Sequence, residues 1–241
     1  MQIPKFLRSK PHQLQIKNET EIAFWRQEIE KYQHWFSGQT GALYDTPPPA
    51  PSEKIIVHNS RHSAILTWHK LHQMPKYLFD HGLSPDTFEG QSILDIGSGP
   101  MPSAEAFRGC LIYSLDPLFG DYLSAGFPLH YYERTRFISA PAEAIPLENG
   151  SVDAVISVNA IDHVNDFSAT AKEISRVLKP NGKVALHIHY HKATEAEPIE
   201  LNDEIVGRAF SWCHGFRKID EKTTKFGWTA DDGKYALWRN F

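Results

Sequence analysis

Cysteine is nearly absent: Cys110 and Cys213 are the only two in 241 residues, too few for a disulfide framework to stand in for a hydrophobic core. No apolar run approaches the ~18 residues that a membrane-spanning helix needs, so membrane insertion is not expected. The opening stretch from Met1 to Asn18 has no continuous apolar segment and is broken by Pro4 and Pro11, unlike a secretory signal. A basic surplus is missing as well. Lys and Arg number 25 against 29 Asp and Glu, for a formal charge of −4, which argues against a protein that grips nucleic acid through its phosphates. The expectation is a cytoplasmic protein with an ordinary core and neither nucleic-acid nor membrane partners. Its oligomeric state is not legible.

What is present is a chain of 41% hydrophobic residues with 13 histidines. It divides into two parts. Residues 1–88 read as a helical extension or cap. The spacing of Ile22, Trp25, Ile29, Tyr32, Trp35 and Phe36 predicts a helix over 19–36. Pro47, Pro48, Pro49 and Pro51 exclude helix. A second helix is expected from about Arg61 to Gly82, capped by Ser60 and kinked or split by Pro75. Residues 89–241 alternate strand and helix. Strands are expected at 92–96, 111–115, 136–139, 154–158 and 183–190, with helices near 102–108, 168–178 and 198–212. A final antiparallel pair, 217–225 and 234–241, turns at Asp231-Asp232-Gly233.

The first strand ends in Leu94-Asp95-Ile96-Gly97-Ser98-Gly99-Pro100, a strand, a glycine turn and then an expected helix. Gly97 and Gly99 allow a sharp bend and a close ligand approach. A second apolar strand ends at Asp116, 21 residues after Asp95, and in a wound sheet it overhangs the same crevice, where a carboxylate can accept from both hydroxyls of a ribose. Pro100 and Pro102 each remove an amide that a pyrophosphate would use, and no third glycine completes a dinucleotide fingerprint. That weighs against a nicotinamide oxidoreductase and for a ligand without phosphate.

Four ordered passages carry a family resemblance: Leu94 to Gly99, Leu115-Asp116, Ala142 to Leu147 with Ser151 to Val155, and Leu178 to Val184. In these the chain resembles the class I S-adenosylmethionine-dependent methyltransferases of the small-molecule type. The resemblance implies an α/β, Rossmann-like, seven-stranded and mostly parallel sheet whose last strand is antiparallel, with S-adenosylmethionine as cofactor. It further implies that Asp95, Gly97, Ser98 and Gly99 frame the methionine part, Asp116 and Pro117 the ribose, and Ala142 and Glu143 the adenine. Asn159 would lie under the sulfonium. Met101 and Pro141 depart from the family pattern at a third glycine and at an adenine-reading acid.

Methyl transfer to a hydroxyl also needs a base beyond the ends of the fourth and fifth strands. Two clusters fall there, Asn159 to His163 and His187 to His191. Strand alternation puts His187, His189 and His191 on one face. His163 is the candidate base, with His189 beside it, since a histidine's ordinary pKa near 6.5 suits proton removal at neutral pH. Asp162, His187, Tyr44 and Trp68 are candidate acceptor contacts, while Trp25 and Trp35 are assigned to the core. Histidines two apart on a strand, about 6.6 Å, can share an ion if Asp162 or His163 joins them, but no metal is assigned. The expected activity is O-methylation of a small molecule such as a sugar. The alternative is a methyltransferase-like protein that binds the nucleoside without turnover.

Overall fold

The computed structural model describes residues 10–39, 46–194, 199–222, 224–225, 228–229 and 234–241. Helix α1, Lys10–Ser37, opens the chain. It begins well before the expected Glu19, because Pro11 falls in its first turn, where a missing N–H costs nothing. Ile29, Tyr32 and Trp35 on its inner face are buried.

The second helical stretch is split. Helix α2, Ser60–Trp68, gives way to a π-turn, His69–Gln73, and then to α3, Met74–Phe79. Pro75 sits in the first turn of α3, and the wider π-turn absorbs the hydrogen bond that proline cannot make. The cap is Asn59 rather than Ser60: its side chain accepts from the amides of Arg61 at 2.9 Å and His62 at 3.2 Å.

The remaining elements are β1 (Ser92–Ile96), β2 (Leu111–Leu115), α4 (Phe119–Ser124), β3 (Thr135–Ile138), β4 (Val152–Val158), α5 (Phe167–Val177), β5 (Leu178–Tyr190), α6 (Asp203–Ala209), β6 (Arg217–Lys222) and β7 (Lys234–Arg239). A small ribbon pairs Thr224–Lys225 with Trp228–Thr229. The main sheet runs 3-2-1-4-5-7-6, parallel except for β7, which is antiparallel to both β5 and β6. This is the Rossmann-like order expected. The reversal between β1 and β4 leaves a crevice at the carboxyl ends of those strands, where ligands bind in open α/β sheets.

Three sequence expectations shift. The helix anticipated at 102–108 is a 3-10 turn, Ser103–Ala106, which Phe107 leaves in extended backbone at ψ 142°; Pro102 also disfavours the helical region for Met101 before it, so no helix runs in from the glycine turn. The helix at 198–212 contracts to α6, capped by Asn202, whose side chain accepts from Ile205 N at 3.0 Å. Strand β5 begins at Leu178, but its register against β4 jumps between Leu178 and Lys183. The intervening Asn181 has φ of 60°, so continuous pairing starts where it was expected. The Asp231-Asp232-Gly233 turn and the start of the 198–212 segment lie outside the described residues.

Apolar residues alternate along β1. Ile93 packs with Tyr77, Phe88 and Phe107 on one face, and Leu94 and Ile96 pack with Val155, Ile174 and Leu186 on the other. A third cluster joins Ile29, Tyr32 and Trp35 of α1 and Ile65 and Trp68 of α2 to Phe119, Tyr122 and Phe127. The N-terminal helices are thereby fixed over the crevice. At its centre Tyr32 and Trp68 stack at 4.1 Å and 18°, a contact worth about 0.5–1.5 kcal/mol beyond the area it buries.

Candidate active site

The turn after β1 holds both glycines in the left-handed region, with φ of 66° at Gly97 and 67° at Gly99. A Cβ on Gly97 would stand 2.3 Å from the Cβ of Ala160, so the turn after β1 touches the loop after β4 and leaves room for hydrogen alone.

Asp116 ties this turn to the end of β2. One carboxylate oxygen accepts from Gly99 N at 3.0 Å and the other from Leu118 N at 2.9 Å. Burial, reinforced by the nearby Glu21, raises its pKa to about 7, against the pull of those amides. Asp95 is fully buried and lies behind the crevice. The Tyr77 hydroxyl donates to its carboxylate, 2.9 and 3.1 Å from the two oxygens, fastening α3 to β1. Burial holds this carboxyl at about 7 too.

A cavity of about 650 Å³ runs along the carboxyl ends of the strands, within the ~300–1,000 Å³ usual for small-molecule sites. Gly97, Ser98, Gly99, Asp116, Pro117, Ala142, Glu143 and Asn159 all line it; Asp95 does not. Asn159 has φ of 53°, a conformation that asparagine tolerates better than most residues, and its amide donates to His187 O at 2.8 Å. The side-chain oxygens of Ser98 and Asn159 are buried without a hydrogen-bond partner among the described residues. Glu143 accepts from the amides of Asn165 and Asp166 at 2.5 and 3.0 Å, fixing the entry to α5.

The opposite wall comes from the N-terminal helices, through Lys17, Glu21, Phe24 and Trp25 of α1, Trp68 of α2, and Lys76 and Tyr77 of α3. Lys17 donates to the backbone oxygen of His163. Its burial lowers its pKa, with Glu21, Glu143, Asp116 and Asp162 opposing. Trp25, assigned from sequence to the core, is half-buried and faces this space. Trp68 is 1% exposed and borders the cavity from within the core. Tyr44 lies outside the described residues. Sequence reasoning overlooked Lys17, Glu21 and Tyr77, because nothing in the local pattern reports a partner 18 to 146 residues away.

His163 lines the cavity. Its Nε2 is 3.9 Å from Asp162 Oδ2, longer than a hydrogen bond. Asp162 is fully buried, and the same oxygen lies 3.1 Å from His191 Nε2. His187 and His189 sit on the face shared with Tyr235, whose ring stacks on them at 5.2 and 4.6 Å. Asp162, His187 and His189 therefore stand behind the cavity wall rather than on it.

Residues 94–186 match the family described as "Methyltransferase domain". The chain is 35% identical over 101 residues to an uncharacterized methyltransferase of Mycobacterium bovis, a match covering 40% of this chain and 39% of that protein. It is 32% identical over 103 residues to one from Mycobacterium ulcerans, covering 42% and 40%. Over residues 94–186 the chain is similar to a class I S-adenosylmethionine-dependent methyltransferase domain. The match spans about two fifths of the length of these curated relatives. The fold of the methyltransferase domain is shared with a chain of the complex between the Haloferax volcanii Trm112 methyltransferase activator and the putative methyltransferase. There the TM-score is 0.50 at 15% identity, over 73% of this chain and 97% of that one.

S-adenosylmethionine is the cofactor of such a domain, and the residues present fit it. The glycine turn offers a surface without side chains, Asp116 is a buried acceptor at the second strand, and Ser98 Oγ and Asn159 Oδ1 are polar atoms awaiting a partner.

Proposed function

We propose that this methyltransferase domain methylates a hydroxyl of a small polar acceptor, such as a sugar or a similar metabolite. The observation that carries the reading is the continuity of one cavity from the Gly97–Gly99 turn and Asp116 to His163. Bound there, S-adenosylmethionine supplies an electrophilic methyl group on a sulfonium. Asp116 accepts from ribose hydroxyls, Ser98 and Asn159 accept from the ammonium end, and Pro141 to Glu143 border the adenine. His163 takes the acceptor's hydroxyl proton on an imidazole nitrogen, and Lys17, bonded to its carbonyl, holds that loop against α1. Residues 1–88 act as the cap, closing the outer wall with Phe24, Trp25 and Trp68 and excluding water.

Charge supports the same reading. Glu21, Asp116 and Glu143 face the cavity beside Lys17 and Lys76, carboxyl groups suited to a ligand that carries positive charge and unsuited to a pyrophosphate. Calorimetry with S-adenosylhomocysteine, S-adenosylmethionine and NADH separates the readings. Heat with the first two and none with NADH is expected. Absence of heat with both sulfur nucleosides overturns the proposal. With hydroxyl acceptors, His163→Ala is expected to lower turnover ~100-fold or more while nucleoside affinity stays within about threefold; equal turnover removes the base.

A further inference from the structure

Behind the cavity wall, the loop after β4 and the end of β5 bring three metal-ligating side chains together. One ligand atom each from Asp162, His189 and His191 lies within 4.8 Å of the others. We propose that Asp162, His189 and His191 form a binding site for one divalent transition-metal ion of the zinc type.

The hydrogen bonds of His191 carry the argument. Its Nδ1 is 2.7 Å from the backbone oxygen of Lys192. A carbonyl only accepts, so this nitrogen bears the hydrogen. The other nitrogen faces Asp162 Oδ2 at 3.1 Å, and an ionised carboxylate also only accepts. A neutral imidazole would set two lone pairs against each other inside the protein. One proton held between the two atoms resolves the conflict, and so does a metal ion bound by both. Two ligand atoms on bonds of ~2.0–2.1 Å at a tetrahedral angle stand about 3.3 Å apart, close to the separation found here.

Three further features favour the ion. A histidine whose second nitrogen donates to a backbone carbonyl is the usual arrangement around a metal, because it fixes the tautomer and the ring plane. Asp162 is fully buried, and its second oxygen has no hydrogen-bond partner among the described residues. Tyr235, stacked at 4.6 Å and 14°, holds the His189 ring in plane. Two imidazoles and a carboxylate suit zinc, cobalt or nickel rather than magnesium. Three protein ligands leave a fourth position for water.

The proposal stands on this geometry and not on the transferase reading. Chelator-stripped protein is titrated with zinc chloride and, separately, with cobalt chloride and magnesium chloride. One zinc per chain is expected in native mass spectrometry, with no competition from magnesium. Asp162→Asn and His191→Gln are each expected to weaken zinc binding at least tenfold, and His62→Ala, at the distant His62–His130 pair, to leave it unchanged. Cobalt-loaded wild-type protein should show paramagnetically shifted ring protons from two histidines, a readout that does not depend on any variant folding. No zinc bound with the metal in excess, zinc lost with His62→Ala, or a cobalt spectrum without shifted histidine protons overturns the site and leaves His191 and Asp162 as a hydrogen-bonded pair. Zinc binding without nucleoside binding would keep the site and sink the transferase reading; the reverse would remove the site alone.

Discussion

Gly97→Ala isolates the contact on which the cofactor turn depends. Two costs are legible at this one position. The φ of 66° puts an L-residue in the left-handed region, which costs about 1–2 kcal/mol. The new methyl would then lie 2.3 Å from the Cβ of Ala160, so the backbone of one loop must move, an overpacking cost of typically 1–3 kcal/mol. Together these give about 2–5 kcal/mol, or a fall in Tm of roughly 4–20 °C for a chain of this size. Ala160→Gly relieves the second cost and not the first. On its own it should cost about 0.5–1 kcal/mol. In the double variant about 1–3 kcal/mol should return relative to additivity, well above the ~0.5 kcal/mol that independent sites show. The assay is urea unfolding of the wild type, both singles and the double, read as Cm at constant m. A Gly97→Ala protein as stable as wild type would refute the positive-φ argument. Strict additivity would refute the contact between the turn and the β4 loop.

Burial raises the carboxyls of Asp95 and Asp116 from an ordinary value near 3.8 to about 7. The folded chain thus holds more protons than the unfolded one between pH ~4 and ~7, and stability should decline as pH rises through that window and level off above it, as measured by Tm against pH. If Asp116 binds the ribose as a carboxylate, S-adenosylhomocysteine affinity should fall as pH drops below 7, with proton release on binding. Calorimetry in buffers of different ionisation enthalpy checks this, and Asp116→Asn should weaken binding and remove the Asp116 share of that release. Tyr77→Phe leaves Asp95 without its hydroxyl donor and should cost about 1–3 kcal/mol, more at pH 8 than at pH 6; equal losses at the two pH values would refute the pairing. Trp68→Ala deletes a ring stacked on Tyr32 in the core and should cost about 3–5 kcal/mol, so unchanged urea stability would show that this ring serves the cavity alone.

The sheet was legible because each of its signals is local. Buried parallel strands read as short apolar runs, and β1 and β2 appear at the expected residues. Where prediction missed, a distant or structural competitor decided. Ser60 lost the cap to Asn59 by one place, as helix ends are decided by which side chain reaches the free amides. The helix after the glycine turn shrank to a 3-10 turn, and Pro102, weighed for the amide it denies a phosphate, acts there by disfavouring the helical region for Met101 before it. The cofactor half of the site follows the same division. Gly97, Gly99 and Asp116 announce themselves by spacing, since backbone geometry at a strand end is set within a few residues. The acceptor half does not. Its outer wall comes from α1, more than a hundred residues before His163, and the pairing of Lys17 with the His163 carbonyl leaves no periodic trace. The same holds behind the wall. His191, given no role in the sequence reading, is drawn to Asp162 because the loop after β4 and the end of β5 leave neighbouring parallel strands at the same edge of the sheet. Strand order therefore predicts that the two clusters meet, while a statement of which histidine meets which carboxylate requires the register of β4 against β5 and the turn that follows each.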